Sequence, residues 1–134
     1  MIVVDTNVVA YLLLGGEKTL LARSAFQKEP VWAAPVLWRS EFRNVLAAYL
    51  RQEKLALSDA LDLVYEAELI LQGSEFEVES GQVLSLVSSS LCSAYDCEFV
   101  ALAQQLDVPL VTSDHQILSE FPATAVSLDA FVSN

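Results

Sequence analysis

Several things are scarce in this chain of 134 residues: it has two cysteines, four glycines, four prolines and a single histidine, and no lysine or arginine follows Lys54. Two cysteines do not make a disulfide framework. Cys92 and Cys97 are five apart, which fits neither a C-x-x-C redox pair nor a metal knuckle, so both read as small apolar core residues. With glycine and proline so few there is no linker, repeat or low-complexity tract, and the length suits one compact domain over residues 1–134. The longest uncharged stretch, Ser80 to Tyr95, falls short of the ~18 apolar residues of a membrane span. The opening MIVVDTNVVAYLLL lacks a basic flank and is interrupted by Asp5, which makes it a poor secretory signal. Reduced thiols in a cytoplasmic protein, with no membrane and no disulfide-linked partner, are therefore expected. What is abundant is apolar: 54% hydrophobic against 19% charged residues excludes intrinsic disorder.

The net charge of −11 excludes a sequence-blind coat for nucleic acid, since proteins that cover phosphate backbones are usually basic. The average hides a division. Seven bases face five acids through residue 54, whereas thirteen acids and no base follow from Leu55 onward. Phosphate can approach the first part, while the second resists it. A mean hydropathy of +0.42 is high for a small protein and points to apolar surface covered by a partner.

Met1–Val4 is a short apolar run of the kind buried on both faces of a parallel sheet. Helical patterns follow over Asn7–Leu14, stopped by Gly15-Gly16, and over Thr19–Lys28. Val31–Ala34 reads as a strand. Pro35 then stands as the first residue of a long helix reaching about Lys54. Ser58 is placed to cap a helix to Leu71, and Phe76–Val78 reads as a strand. Helices over Gly81–Ser90 and Tyr95–Leu106, a strand over Val108–Val111, a short helix over His115–Glu120 and a strand over Ala125–Leu128 complete the chain. The alternation predicts an α/β fold, a three-layer α/β/α sandwich around a parallel sheet of four to five short strands.

Four acids stand where this pattern wants something else. Glu41 lies three residues after Trp38 and four before Val45, on the apolar stripe of the long helix, and too far from Pro35 for a first-turn acid. It is either a core-edge glutamate paired with Arg39 or Arg43, or a functional carboxylate. Asp96 continues the stripe of Phe99, Ala103 and Leu106, and also closes a Ser93-x-x-Asp96 capping box. Asp5 and Asp114 each follow an apolar strand, where an aspartate serves as a helix cap but where open α/β sheets also gather ligands. Together the four could meet at one sheet edge. Their mutual repulsion there calls for cations, and an all-oxygen set suits Mg²⁺ or Mn²⁺ rather than zinc.

The segments IVVDTNV, RSEFRNVL and SAYDCEFVALAQQLDVPLVTSDHQIL resemble the PIN-domain nucleases, specifically the bacterial VapC-type toxins, and the resemblance runs over essentially the whole chain. It implies a metal-dependent endoribonuclease, usually dimeric and restrained by a small antitoxin. The family's acidic positions fall on Asp5, Glu41, Asp96 and Asp114, and its polar residue beside the last acid on Thr112. Many relatives carry a further acid two or three residues after the fourth; here Gln116 and Ile117 follow His115, so of one or two ions the second is expected to be weakly held.

In that reading Asp5 and Asp96 serve the better-held ion, and Glu41 and Asp114 complete the site. Thr6, Asn7 and Thr112 orient the carboxylates. Arg39 and Arg43, flanking Glu41, are candidates for substrate phosphates, against the plainer reading of surface arginines paired with acids. His115 could touch a phosphate or act as an acid, or be only an exposed loop histidine. In-line attack by water leaves a 5′-phosphate and a 3′-hydroxyl. Phosphotransfer through a strand-end aspartate is disfavoured, because Asn7 stands where a second acid is needed and no lysine follows Lys54. The surviving alternative is a catalytically weak interaction module on the same fold, binding RNA or a protein.

Overall fold

The structure is a computed structural model describing residues 1–134. Five parallel strands form one sheet: β1 (Ile2–Val4), β2 (Trp32–Pro35), β3 (Glu75–Phe76), β4 (Leu110–Thr112) and β5 (Ala125–Ser127), in the spatial order β3-β2-β1-β4-β5. Eight helices connect and cover them: α1 (Thr6–Leu14), α2 (Thr19–Lys28), α3 (Trp38–Arg51), α4 (Leu57–Leu71), α5 (Ser80–Ser88), α6 (Ala94–Leu106), α7 (His115–Glu120) and α8 (Leu128–Ser133). The three-layer α/β/α arrangement predicted from the alternation is the one observed. No helix is long and apolar enough to cross a membrane.

The sequence of strand additions decides where a site can form. From β1 the chain builds outward through β2 to β3, then returns to the other side of β1 to lay down β4 and β5. The direction of winding reverses between β1 and β4, and ligands of open α/β sheets collect in the crevice beyond the strand ends at such a switch point. Val4 pairs with Val111 in register, so the residues after β1 and β4 leave the sheet side by side.

The central strands are apolar throughout because both faces are covered. Ile2, Val3, Val4, Leu110 and Val111 are all buried. On α6 the consecutive residues Phe99 to Ala103 are buried, and this helix packs on β1, β2 and β4 with α5 outside it. Phe26 meets Trp32 edge-on at 5.2 Å, and the buried Trp32 indole donates to the Glu29 carbonyl at 2.7 Å. Both cysteines are free and buried in this core, and burial pushes the Cys92 thiol up to about 11.

Several boundaries differ from expectation, and the following bear most on the site and the packing. Pro35 ends β2 rather than opening a helix, and it is tolerated because Ala34 and Val36 on either side donate to Ser74 and Phe76, each at 3.1 Å. The following helix starts at Trp38, so Glu41 falls in its first turn, where the helix dipole favours an acid; the expectation that it lies beyond such help is corrected. At α4 the cap position is Ala56 rather than Ser58, with Asp59 accepting from the Ala56 N–H at 3.4 Å. The C-terminal α8 was not expected: Ser127 ends β5 and at once caps this helix, accepting from the Ala130 N–H at 3.1 Å. By contrast α1 stops where predicted, at Gly15 and Gly16 with φ of 82° and 114°.

Truncating Leu102→Ala in this fully buried layer should lower the unfolding free energy by about 2–5 kcal/mol in urea titration, whereas Leu61→Ala on the outer face of α4 should stay within about 0.5 kcal/mol.

Candidate active site

Beyond the ends of β1 and β4 lies a cleft of about 400 Å³, and its lining includes Asp5, Glu41, Asp96 and Asp114, each from a different part of the chain. Asp5 caps α1: its Oδ1 accepts from the Val8 N–H at 3.1 Å. Asp114 caps α7 in the same way, with Oδ1 accepting from the Ile117 N–H at 2.9 Å. Both aspartates are therefore helix caps and cleft residues at once, since a cap uses one oxygen of the two. Thr112, fully buried at the end of β4, joins them. Its hydroxyl donates to Asp5 Oδ2 and accepts from the Asp114 N–H at 3.0 Å. Thr6, the first residue of α1, donates its hydroxyl to Glu41 Oε1 at 2.7 Å, fixing that carboxylate across the cleft. At the start of α6, Ser93 accepts from the Asp96 N–H at 3.1 Å, the first half of the expected capping box.

None of the four carboxylates has a basic partner. The ion pairs of the chain join the N-terminal amine to Glu29, and Arg39 to Glu68 and Glu75. The electrostatic consequence is uniform in direction. Burial pushes the Asp5 carboxyl up to about 6 from an ordinary 3.8, with Asp114 and Glu41 adding to the rise and the Thr112 and Val8 hydrogen bonds opposing it. Burial also raises Glu41, helped by Asp96 and Glu98, and raises Asp96, helped by Asp114. As the side chains stand, no three carboxylates close on a common point tightly enough to hold an ion. The donor chemistry nevertheless fits a hard divalent cation: several oxygen donors, no thiol or imidazole, and carboxylates whose charge nothing else in the cleft neutralises.

Two of the suggested substrate residues lie elsewhere. Arg39 is committed to a fork on Glu75, with Nε–Oε1 at 2.7 Å and Nη2–Oε2 at 3.0 Å, and to Glu68 at 2.9 Å. Trp38 Nε1 also reaches Glu75, at 2.5 Å, so this cluster ties the start of α3 to β3 and α4. Glu75 holds Arg39 above its usual range, and Arg39 holds Glu75 below its own. Arg43 is exposed and lies beside Arg39, Val64 and Glu68. Positions two before and two after a helical residue sit on nearly the opposite face, so flanking Glu41 in sequence turns both arginines away from the cleft, and neither lines it. His115 is exposed at the first position of α7 and does not line the cleft. Asn7 does line it. Ser40, Asn44 and Tyr95 also line the cleft and were missed. The signal for Asn44 was available in its place one turn after Glu41.

The raised Asp5 makes a checkable statement about stability. Between about pH 4 and pH 6 the folded chain binds this proton more firmly than the unfolded one, so the group's contribution is greatest at acid pH and is lost as pH rises through about 6. A shift of this size is worth about 3 kcal/mol at most. In metal-free buffer at pH 7, Asp5→Asn should raise the unfolding free energy by about 1–3 kcal/mol, and the gain should shrink at pH 4, as measured by urea denaturation.

No curated protein matches the chain in sequence. Solved structures share its fold at low identity. PAE2754 from Pyrobaculum aerophilum gives a TM-score of 0.78 at 16% identity, covering 98% of this chain and 93% of the other. A toxin–antitoxin complex from Klebsiella pneumoniae gives 0.71 at 15%, covering 96% and 98%. VapC20 of Mycobacterium tuberculosis, described as a sarcin–ricin loop cleaving toxin, gives 0.64 at 15%, covering 89% and 94%. The model of one family, the PIN domain, matches residues 2–123. A match over so much of the sequence, together with the sheet order and the cleft at its switch point, places the chain: it belongs to the PIN domain family.

Proposed function

We propose that the protein is a Mg²⁺- or Mn²⁺-dependent endoribonuclease that acts in the cytoplasm as the toxin of a toxin–antitoxin pair. The observation that carries this reading is the meeting of Asp5, Glu41, Asp96 and Asp114 in one cleft without a basic partner, in a chain of the PIN family. Asp5 and Asp96 would hold the better-bound ion, with Glu41 and Asp114 completing the site and the cleft's single set of oxygen donors favouring one tight ion over two. Such an ion supplies Lewis-acid polarisation of a phosphoryl oxygen and lowers the pKa of water toward neutrality. The chain's own residues set the stage for it. Thr112 presents Asp5 with one lone pair engaged, Thr6 turns Glu41 inward, and the two helix caps fix both strand-end aspartates before substrate arrives. Glu41, held above the ordinary carboxylate range, is suited to take a proton from the attacking water. Cleavage leaves a 5′-phosphate and a 3′-hydroxyl.

The partner follows from α4. Leu57, Leu61, Tyr65 and Leu69 recur every fourth residue and are exposed by between 51% and 65%, while Asp62 and Glu66 run alongside. An apolar row edged with acids fits an amphipathic helix carrying lysine or arginine beside its apolar residues, the kind of segment a small antitoxin would offer. A second copy of the chain would bring like charges together there. The exposed Leu84 and Leu91 are better placed to be covered in a homodimer.

The test is incubation of purified protein with structured RNAs and Mg²⁺ or Mn²⁺. Cleavage should vanish with EDTA and fall by more than about a hundredfold in Asp5→Asn. Persistent cleavage by the Asp5→Asn protein would sink the assignment. Mn²⁺ should also raise the melting temperature of the wild type and leave that of Asp5→Asn nearly unmoved, because only the former gains an ion. A wild type that gains stability from Mn²⁺ yet cleaves no RNA would favour the interaction module.

A further inference from the structure

A nuclease built around four carboxylates must still hold a polyanion, and most of the chain repels one. No base follows Lys54, so cationic help has to come from the first part of the chain. Two surfaces adjoin the carboxylate cleft: a groove with which it shares Leu37, and the face of α3 that carries Ser40 and Asn44. That groove is apolar, lined by Val36, Val83 and Leu84, and carries Glu77 and Glu98, a poor bed for phosphate. The other surface runs along α3.

On α3 the three arginines are not equivalent. Arg39 is consumed by Glu75 and Glu68. Arg43 lies about 160° around the helix from Glu41. Arg51, in the last turn, is exposed and takes part in no ion pair. At about 100° per residue it falls within about 20° of Asn44 and continues the ridge of Ser40 and Asn44, both of which line the cleft. The rise from Asn44 to Arg51 is about 10 Å, the reach of a short stretch of extended strand. Across the cleft stands Tyr95, 63% exposed and next to Asp96, the one exposed aromatic ring on the rim. Exposed rings beside a phosphate path serve as stacking platforms for unpaired bases.

We propose that single-stranded RNA crosses the cleft with its backbone following the α3 ridge from Asn44 to Arg51 and a base stacked on Tyr95. The assignment rests on the nuclease reading and adds to it the path of the strand and the residues that hold it. Arg51 acts on phosphate without regard to sequence, Asn44 donates to the backbone close to the scissile bond, and Tyr95 selects against paired bases.

Binding separates this from catalysis. Fluorescence anisotropy of a labelled single-stranded RNA is followed as a function of salt on the Asp5→Asn protein, which leaves the RNA intact. Arg51→Glu should weaken binding about tenfold and lower the salt slope by about one, with Arg51→Lys retaining most of the affinity. Arg43→Glu, the same charge change on the far side of the same helix, should alter affinity less than about twofold. Tyr95→Ala should weaken single-stranded RNA about five- to tenfold and leave the weaker duplex binding unchanged, while a Tyr95→Trp protein should bind tightly and show quenched fluorescence on adding RNA. Equal losses for Arg43→Glu and Arg51→Glu would overturn the track, since charge alone would then explain both. Unchanged cleavage by Arg51→Glu and Tyr95→Ala introduced into an active wild type would overturn it as well, and would leave the nuclease reading standing. A wild type that cleaves no RNA overturns the nuclease reading and the track with it.

Discussion

The burial of Asp5, Glu41, Asp96 and Asp114 together in one cleft, with no basic partner, is the constraint around which this fold is arranged. Burial raises the proton affinity of the Asp5, Glu41 and Asp96 carboxyls, and the like charges beside them add to the rise. What holds them in place is neutral: two hydroxyls, from Thr6 and Thr112, and the first N–H groups of helices α1 and α7, while the Ser93 hydroxyl fixes the Asp96 backbone at the start of α6. Arg39, on the same helix as Glu41, does not relieve the charge, because it is held in its fork on Glu75. The apolar core beneath the cleft offsets the cost. Strain of this sort, tolerated because the surroundings over-determine it, is typical of sites that do chemistry.

Much of this was legible in the sequence, for local reasons. A strand-end aspartate is visible because an apolar run stops on it, and a stripe acid is visible because helical periodicity places it among apolar neighbours. The conclusion that the four share one edge needed only the parallel sheet and its switch point. What escaped depended on partners far along the chain. Arg39 binds Glu75 and Glu68, 36 and 29 positions away, which no local pattern announces. Pro35 was misread because a proline suits both a first helical turn and the last position of a strand, and only pairing with β3 decides between them. The closing α8 was hidden by Ser127, which finishes one element while capping the next. Tyr95 escapes for a different reason: an aromatic residue at the start of a helix looks like ordinary surface until the cleft beside it is known.

The uneven distribution of charge along the chain becomes a division of labour in space. The long basic helix α3 borders the cleft, whereas α4, the first element of the acidic part, presents an apolar row edged with carboxylates. One helical hairpin thus carries both a face suited to an anionic polymer and a face suited to a cationic partner.

The sheet itself ends in very little. Its outer strands are β3, two residues long and pinned by Glu75 to Trp38 and Arg39, and β5, three residues long and running directly into α8. Neither exposes enough backbone to template another strand, which is how proteins guard against edge-to-edge aggregation. For a chain this hydrophobic that guard has a further effect. Most of its exposed large apolar side chains stand on helices, where a contact is made by side-chain fit, and the door to a cross-β stack is closed by the shortness of two strands.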